Sequence, residues 1–175
     1  MDRKTDDEEI QRHLSYLRLA LSFATKSPPK PTNYCVGAVL VDAVRNEVLS
    51  TGYTLELEGN THAEQCCLTK LANKQGLQEE EVGKVIPEGA VLYTTMEPCW
   101  VRLSGNLPCV QRILRTKLGE HAGIRTVVCG VREPEKFVNE NHGRKLLNDA
   151  GIAVLYVSGL ESDILAVATA GHEKE

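Results

Sequence analysis

Two short segments carry residue types that could do chemistry together. The first is Thr61-His62-Ala63-Glu64-Gln65-Cys66-Cys67. The second is Glu97-Pro98-Cys99, followed after nine intervening residues by Cys109, itself preceded by Pro108. A histidine two residues before a glutamate is weak evidence alone, because such a histidine is more often a cap or a core residue. The second segment changes the weight. One imidazole (His62) and two thiols (Cys99, Cys109) make a three-ligand zinc set that leaves the fourth position open, whereas a structural zinc recruits four protein ligands. Glu64 lies beside the set without belonging to it and suits a general base. Cys66 stands one helical turn from His62 and is the competing thiol. With Cys35, Cys67 and Cys129 it is assigned to the core, since free cysteine is among the most buried residue types.

These residues need elements to hold them. Apolar positions at Ile10, Leu14, Leu17, Leu21 and Ala24 recur with helical spacing over 8–26, ending at a Pro-rich turn. Residues 34–42 read as a strand buried on both faces and 47–55 as its antiparallel partner, with a turn near Asn46. A helix is expected over 62–74, then a polar loop over 75–88 with a short helix. Further strands are expected at 90–96, 124–131 and 152–157, and helices at 109–118, 141–151 and 160–170. One helix, a hairpin and then alternating helices and strands predict an α/β, three-layer α/β/α domain. Its sheet is five-stranded, mixed and flanked by helices, with the last three strands parallel. His62 and Glu64 would open one helix and Cys109 another. Cys99 would follow a strand end, where open α/β sheets place their ligand crevice. A helix N-terminus at Cys109 is expected to favour its thiolate.

Composition bounds the rest. At 175 residues, 42% hydrophobic and 25% charged, the chain suits one globular domain spanning 1–175. A net charge of −4 argues against nucleic acid as a partner, which asks for a basic face. The richest basic patch is Arg112, Arg115 and Lys117, expected along one helix. No apolar run is long enough to span a membrane. The acidic, polar start MDRKTDDEEIQRH argues against a targeting peptide, so a cytoplasmic address is expected. Six cysteines in such a compartment are thiols or ligands, not disulfides.

His-Ala-Glu followed by Thr-Met-Glu-Pro-Cys resembles the zinc-deaminase signature, in which the glutamate stays outside the metal shell. The chain is thus identified as a member of the cytidine-deaminase superfamily. Nine residues between the cysteines, where the signature has two, and the start Asn33-Tyr34-Cys35-Val36-Gly37-Ala38-Val39 resemble the riboflavin-pathway pyrimidine deaminases. The stretch EPCWVRLSGNLPCVQRIL is most similar to the fungal branch. That resemblance implies zinc-dependent hydrolytic deamination of 2,5-diamino-6-ribitylamino-4(3H)-pyrimidinone 5′-phosphate in riboflavin biosynthesis, with Zn2+ as cofactor. It implies a homodimer, and a stand-alone deaminase, as 175 residues leave no room for the fused domains of some relatives. It also implies substrate contacts at Asn33 and Ala63, with Trp100 walling the base or packing in the core. Arg102, Ser104 and Asn106 would hold the ribityl hydroxyls or phosphate, or simply sit on an exposed loop. Two rivals remain. One is a deaminase of another base or nucleotide (cytosine or dCMP, guanine, or tRNA adenosine); a free-nucleotide enzyme should carry the short cysteine spacing, and the acidic balance argues against tRNA. The other is a non-catalytic zinc-stabilised module, which has no use for Glu64.

Overall fold

A computed structural model describes residues 3–117, 123–134 and 142–173. The elements run α1 (Arg3–Ala24), β1 (Gly37–Asp42), β2 (Glu47–Tyr53), α2 (Ala63–Lys74), a 3-10 helix (Glu79–Lys84), β3 (Ala90–Met96), α3 (Cys109–Arg115), β4 (Ile124–Val131), α4 (Gly143–Asp149), β5 (Ala153–Tyr156) and α5 (Glu161–Ala168). The five strands form one sheet in the order β2-β1-β3-β4-β5. β1 pairs antiparallel with both β2 and β3, while β3-β4 and β4-β5 are parallel. The mixed sheet and its parallel run are those the sequence pattern predicts.

Alternation along the strands builds two cores. Ala38 and Leu40 of β1, Leu92 of β3 and Val127 of β4 face a cluster completed by α2, α3 and α4, including Leu68, Ile113 and Leu147. Their neighbours Val39, Val41, Tyr93 and Val128 face the other way, against Leu14 and Leu17 of α1 and Ile164 of α5. A sheet covered on both faces calls for strands that are mostly apolar runs; β1 and β3 are buried throughout, with Asp42, Thr94 and Thr95 as their buried polar positions. Side chains of successive strand residues point to opposite faces, so each run serves both layers.

Two glycines set how closely the helices approach. A Cβ on Gly37 would stand 1.9 Å from the carbonyl oxygen of Ala20 in α1. A Cβ on Gly52 would stand 2.2 Å from the carbonyl oxygen of Ala63. The first turn of α2, which carries the His-x-Glu segment, therefore rests directly on the backbone of β2.

Some boundaries differ from expectation. The strand expected from Tyr34 begins at Gly37, because the preceding backbone has other partners. Cys35 N–H donates to the Ala168 carbonyl (3.0 Å) and Val36 N–H to Thr54 Oγ1 (3.0 Å). α3 ends at Arg115, closed by Thr116 N–H to the Ile113 carbonyl, and Leu118 lies outside the described residues. α4 begins at Gly143; Asn141 likewise lies outside them. The basic patch is not a free face. Arg112 pairs with Glu79, Arg115 approaches Glu80 at 3.7 Å, and Lys117 donates to the Ala150 carbonyl. Those cations dock the 75–88 segment and α4. Among the described residues, no helix is long and apolar enough to cross a membrane.

Candidate active site

β3 runs outward to Glu97-Pro98-Cys99, and α2 begins beside that strand end with His62 as its N-cap. The chain then loops through 100–108 and re-enters the core at Cys109, the first residue of α3. These three arrivals bring His62, Cys99 and Cys109 together, with one donor atom from each lying within 4.8 Å of the others. His62 Nδ1 stands 3.4 Å from Cys99 Sγ and 3.5 Å from Cys109 Sγ. Zinc bonds of about 2.0–2.1 Å to nitrogen and about 2.3 Å to sulfur in a tetrahedron give N···S edges of roughly 3.5 Å. The donor set and its spacing therefore fit zinc. Cys66 is fully buried and is not part of this group.

Glu64 completes the inner site. It is 3% exposed and lies 3.4 Å from both Cys109 Sγ and the Thr94 hydroxyl. Burial, and then the charge of Cys99, raise its carboxyl above the usual range. The two thiols behave oppositely. Cys99 is pushed down to about 4, chiefly because the Cys109 thiol donates to it, with His62 adding to the effect. Cys109 is pushed up by the same hydrogen bond and by burial. The helix start at Cys109 was expected to favour the thiolate there. Instead its backbone N–H donates to Cys99 Sγ (3.4 Å), so Cys99 receives that stabilisation.

Above this cluster opens a cavity of about 410 Å³, reached by His62, Ala63, Glu64 and Cys99 from below. Of the substrate contacts expected from sequence, Asn33, Ala63, Arg102 and Ser104 line it. Trp100 and Asn106 are not among its lining residues. Trp100 packs against the core on the α2-α3-α4 face and meets the His142 ring edge-on at 4.9 Å. Asn106 is exposed, its N–H turned to Ser104 Oγ. Arg102 is 8% exposed although it sits in the loop. Its guanidinium donates to the Asn60 carbonyl (2.6 Å) and to Gln65 Oε1 (3.1 Å). Gln65 Oε1 also accepts the His62 backbone N–H at 3.4 Å, so the cysteine loop is tied to the histidine turn.

Sequence reasoning passed over Glu97, Tyr34, Thr54 and Glu133, which also line the cavity. Glu97 had a signal, its place in the Glu-Pro-Cys motif. Its carboxylate accepts the Tyr156 hydroxyl (2.6 Å) and the Glu133 N–H (3.1 Å), tying the ends of β3, β4 and β5 together. Thr54 and Glu133 come from loops whose place at the cavity has no local pattern.

Comparison with known proteins agrees with this geometry. Residues 10–131 match the family model described as the cytidine and deoxycytidylate deaminase zinc-binding region. The chain is 39% identical over 160 residues to the diaminohydroxyphosphoribosylamino-pyrimidine deaminase of Schizosaccharomyces pombe, covering 91% of this chain and 36% of that protein. It is similar to the crystal structure of Aspergillus oryzae Rib2 deaminase, a C-terminal deletion mutant at pH 6.5. That match has 50% identity and a TM-score of 0.84, over 92% of each chain. The same enzyme in complex with DARIPP matches with 50% identity and a TM-score of 0.85, over 93% of this chain and 92% of that one. The chain spans about a third of the length of the curated relatives it matches. With the family's zinc-binding region covering both ligand segments, the chain belongs to the cytidine and deoxycytidylate deaminase family.

Proposed function

We propose that the chain, as a single deaminase domain over 1–175, hydrolytically deaminates 2,5-diamino-6-ribitylamino-4(3H)-pyrimidinone 5′-phosphate in riboflavin biosynthesis. The observation that carries this is Glu64. It is buried at the cavity floor, beside a zinc-fitting triad but outside it. The substrate class is supported by the riboflavin-pathway relatives and by the DARIPP complex of the Aspergillus oryzae enzyme.

His62, Cys99 and Cys109 would hold the zinc. When bound, zinc supplies Lewis acidity that brings the pKa of a water toward neutrality. The remaining work falls to the chain. A carboxyl whose pKa burial has raised can take a proton and return it near neutral pH, as a general acid–base group must. Glu64 takes the proton of the attacking water and delivers it to the ring nitrogen. The water oxygen bonds to the amino-bearing ring carbon; Glu64 then takes the second proton from that new hydroxyl and passes it to the amine, so that the carbonyl forms as the C–N bond breaks and ammonia leaves. The Ala63 backbone and Asn33 flank that position and would orient the ring. Arg102, Ser104 and the 101–104 loop would receive the ribityl phosphate. Arg102 enters this role already anchored by Asn60 and Gln65, so less side-chain freedom is lost on binding.

A cytoplasmic homodimer is part of the same proposal. The six cysteines are all free, which suits a reducing compartment, and Leu103 at the cavity rim is 84% exposed, which suits a covering partner. The deciding experiment measures ammonia released from the reduced pyrimidine, with and without its 5′-phosphate, against cytidine, deoxycytidine monophosphate and guanine. Turnover of the phosphorylated pyrimidine alone is the expected result. Preference for any of the other bases would overturn the substrate, and zinc content without release from any of them would favour a binding module.

A further inference from the structure

Residues 31–34 form one wall of the cavity, yet they belong to neither a helix nor a paired strand of the sheet. Their backbone is held from behind by the turn that follows α5. His172 Nε2 lies 3.0 Å from the Asn33 carbonyl oxygen, and its ring meets that of Tyr34 at a 53° tilt with centroids 4.8 Å apart. A carbonyl only accepts, so Nε2 carries the proton and the ring donates. Two positions on, Cys35 N–H donates to the Ala168 carbonyl at the end of α5. Between these contacts, Gly171 lies against the backbone of Pro29 and Lys30. A Cβ there would stand 2.2 Å from Lys30 N and 2.6 Å from the Pro29 carbonyl carbon. One donor, one ring contact, one backbone pair and one glycine approach converge on the short segment 29–35.

We infer that His172 is a positioning residue for the deaminase site, holding the substrate-facing loop 31–34 from outside the cavity. The inference rests on the proposed reaction only for its kinetic consequence. Asn33 and Tyr34 face the cavity while His172 is not among its lining residues. Loss of the latch should therefore weaken substrate capture and leave the zinc set and Glu64 intact. A loop that must be ordered on binding charges that ordering to affinity, whereas one already ordered does not.

The test uses the zinc-loaded full chain and three substitutions, His172→Ala, His172→Gln and His172→Phe. Glutamine keeps an N–H donor at similar reach, and phenylalanine keeps the ring without the donor. In His172→Ala, hydrogen exchange of the Asn33 and Cys35 amides should speed up about tenfold while β4 amides are unchanged. KM for the phosphorylated pyrimidine should rise about three- to tenfold, the span of one ordinary hydrogen bond, with kcat within twofold and zinc content unchanged. Glutamine should recover most of the KM and phenylalanine little of it. Exchange at Asn33 and Cys35 equal to wild type in His172→Ala would overturn the latch. So would an unchanged KM, or a loss in kcat alone. Absence of turnover by the wild-type chain would count against the proposed substrate instead, and the exchange measurement would then decide the latch by itself.

Discussion

Glu64 Oε2 and Cys109 Sγ lie 3.4 Å apart, yet only the cysteine belongs to the convergent donor group. Only Ala63 separates Glu64 from the ligand His62, enough to turn its carboxylate toward the cavity floor while the imidazole faces the thiols. Ligand and base thus share one helical turn without sharing a role. Glu64→Gln should keep zinc near one per chain and the melting temperature near wild type. Turnover should fall by at least about 10²–10⁴-fold, the usual worth of a positioned acid–base group. Metal analysis beside an ammonia assay checks this; activity within threefold of wild type would remove Glu64 from the chemistry.

Cys99→Ala or Cys109→Ala should each bring zinc well below one per chain and abolish activity. Cys66→Ala should retain both, because Cys66 is buried away from the donor group. Loss of metal from Cys66→Ala with retention in Cys109→Ala would reassign the site.

Arg102→Ala should act mainly through KM on the phosphorylated pyrimidine, by about 1.5–3 kcal/mol, the size of a hydrogen bond to a charged group. The effect should shrink on the dephosphorylated compound. Arg102→Lys should rescue little, since a single ammonium does not reproduce a planar fork already shared with Asn60 and Gln65. Equal losses on both substrates would show that Arg102 serves only to anchor the loop.

Gly52→Ala should destabilise the fold by about 1–3 kcal/mol, the range for overpacking a closed contact, because the new methyl meets the Ala63 carbonyl. Zinc affinity should fall with it, as the displaced turn carries His62. Stability and zinc affinity both unchanged would mean that α2 shifts freely on the sheet.

His13 supplies a pH dependence remote from the metal. Its ring is nearly buried, with Nδ1 2.9 Å from the Tyr93 hydroxyl. Burial lowers its pKa; Glu9 opposes this and Arg12 adds to it. As pH falls below about 6.5, the unfolded chain takes up a proton that the folded chain resists. The stability contributed by the neutral ring is then lost downward toward the depressed folded value. The stability gap between wild type and His13→Gln should therefore narrow from pH 7.5 to pH 5.5 in urea titrations. A gap that widens on acidification would contradict the sign.

Much of this molecule is written locally. Short, largely apolar runs at 90–96 and 124–131, rich in β-branched residues, place those strands to the residue. The pairing of one imidazole with two Pro-Cys thiols indicates zinc from donor chemistry alone, and a glutamate that is not a ligand indicates what zinc is for. Tertiary structure decided what depends on distant partners. The strand expected from Tyr34 starts at Gly37 because Ala168 and Thr54 claim the intervening N–H groups. Arg112, Arg115 and Lys117 read as a basic patch until the fold brings Glu79, Glu80 and the Ala150 carbonyl to them. Trp100 follows a ligand in the chain, but the fold packs it against the core and the His142 ring, outside the cavity lining. Sequence carries donor types and spacing; which side chain wins each donor is settled only when residues far apart in the chain compete for the same space.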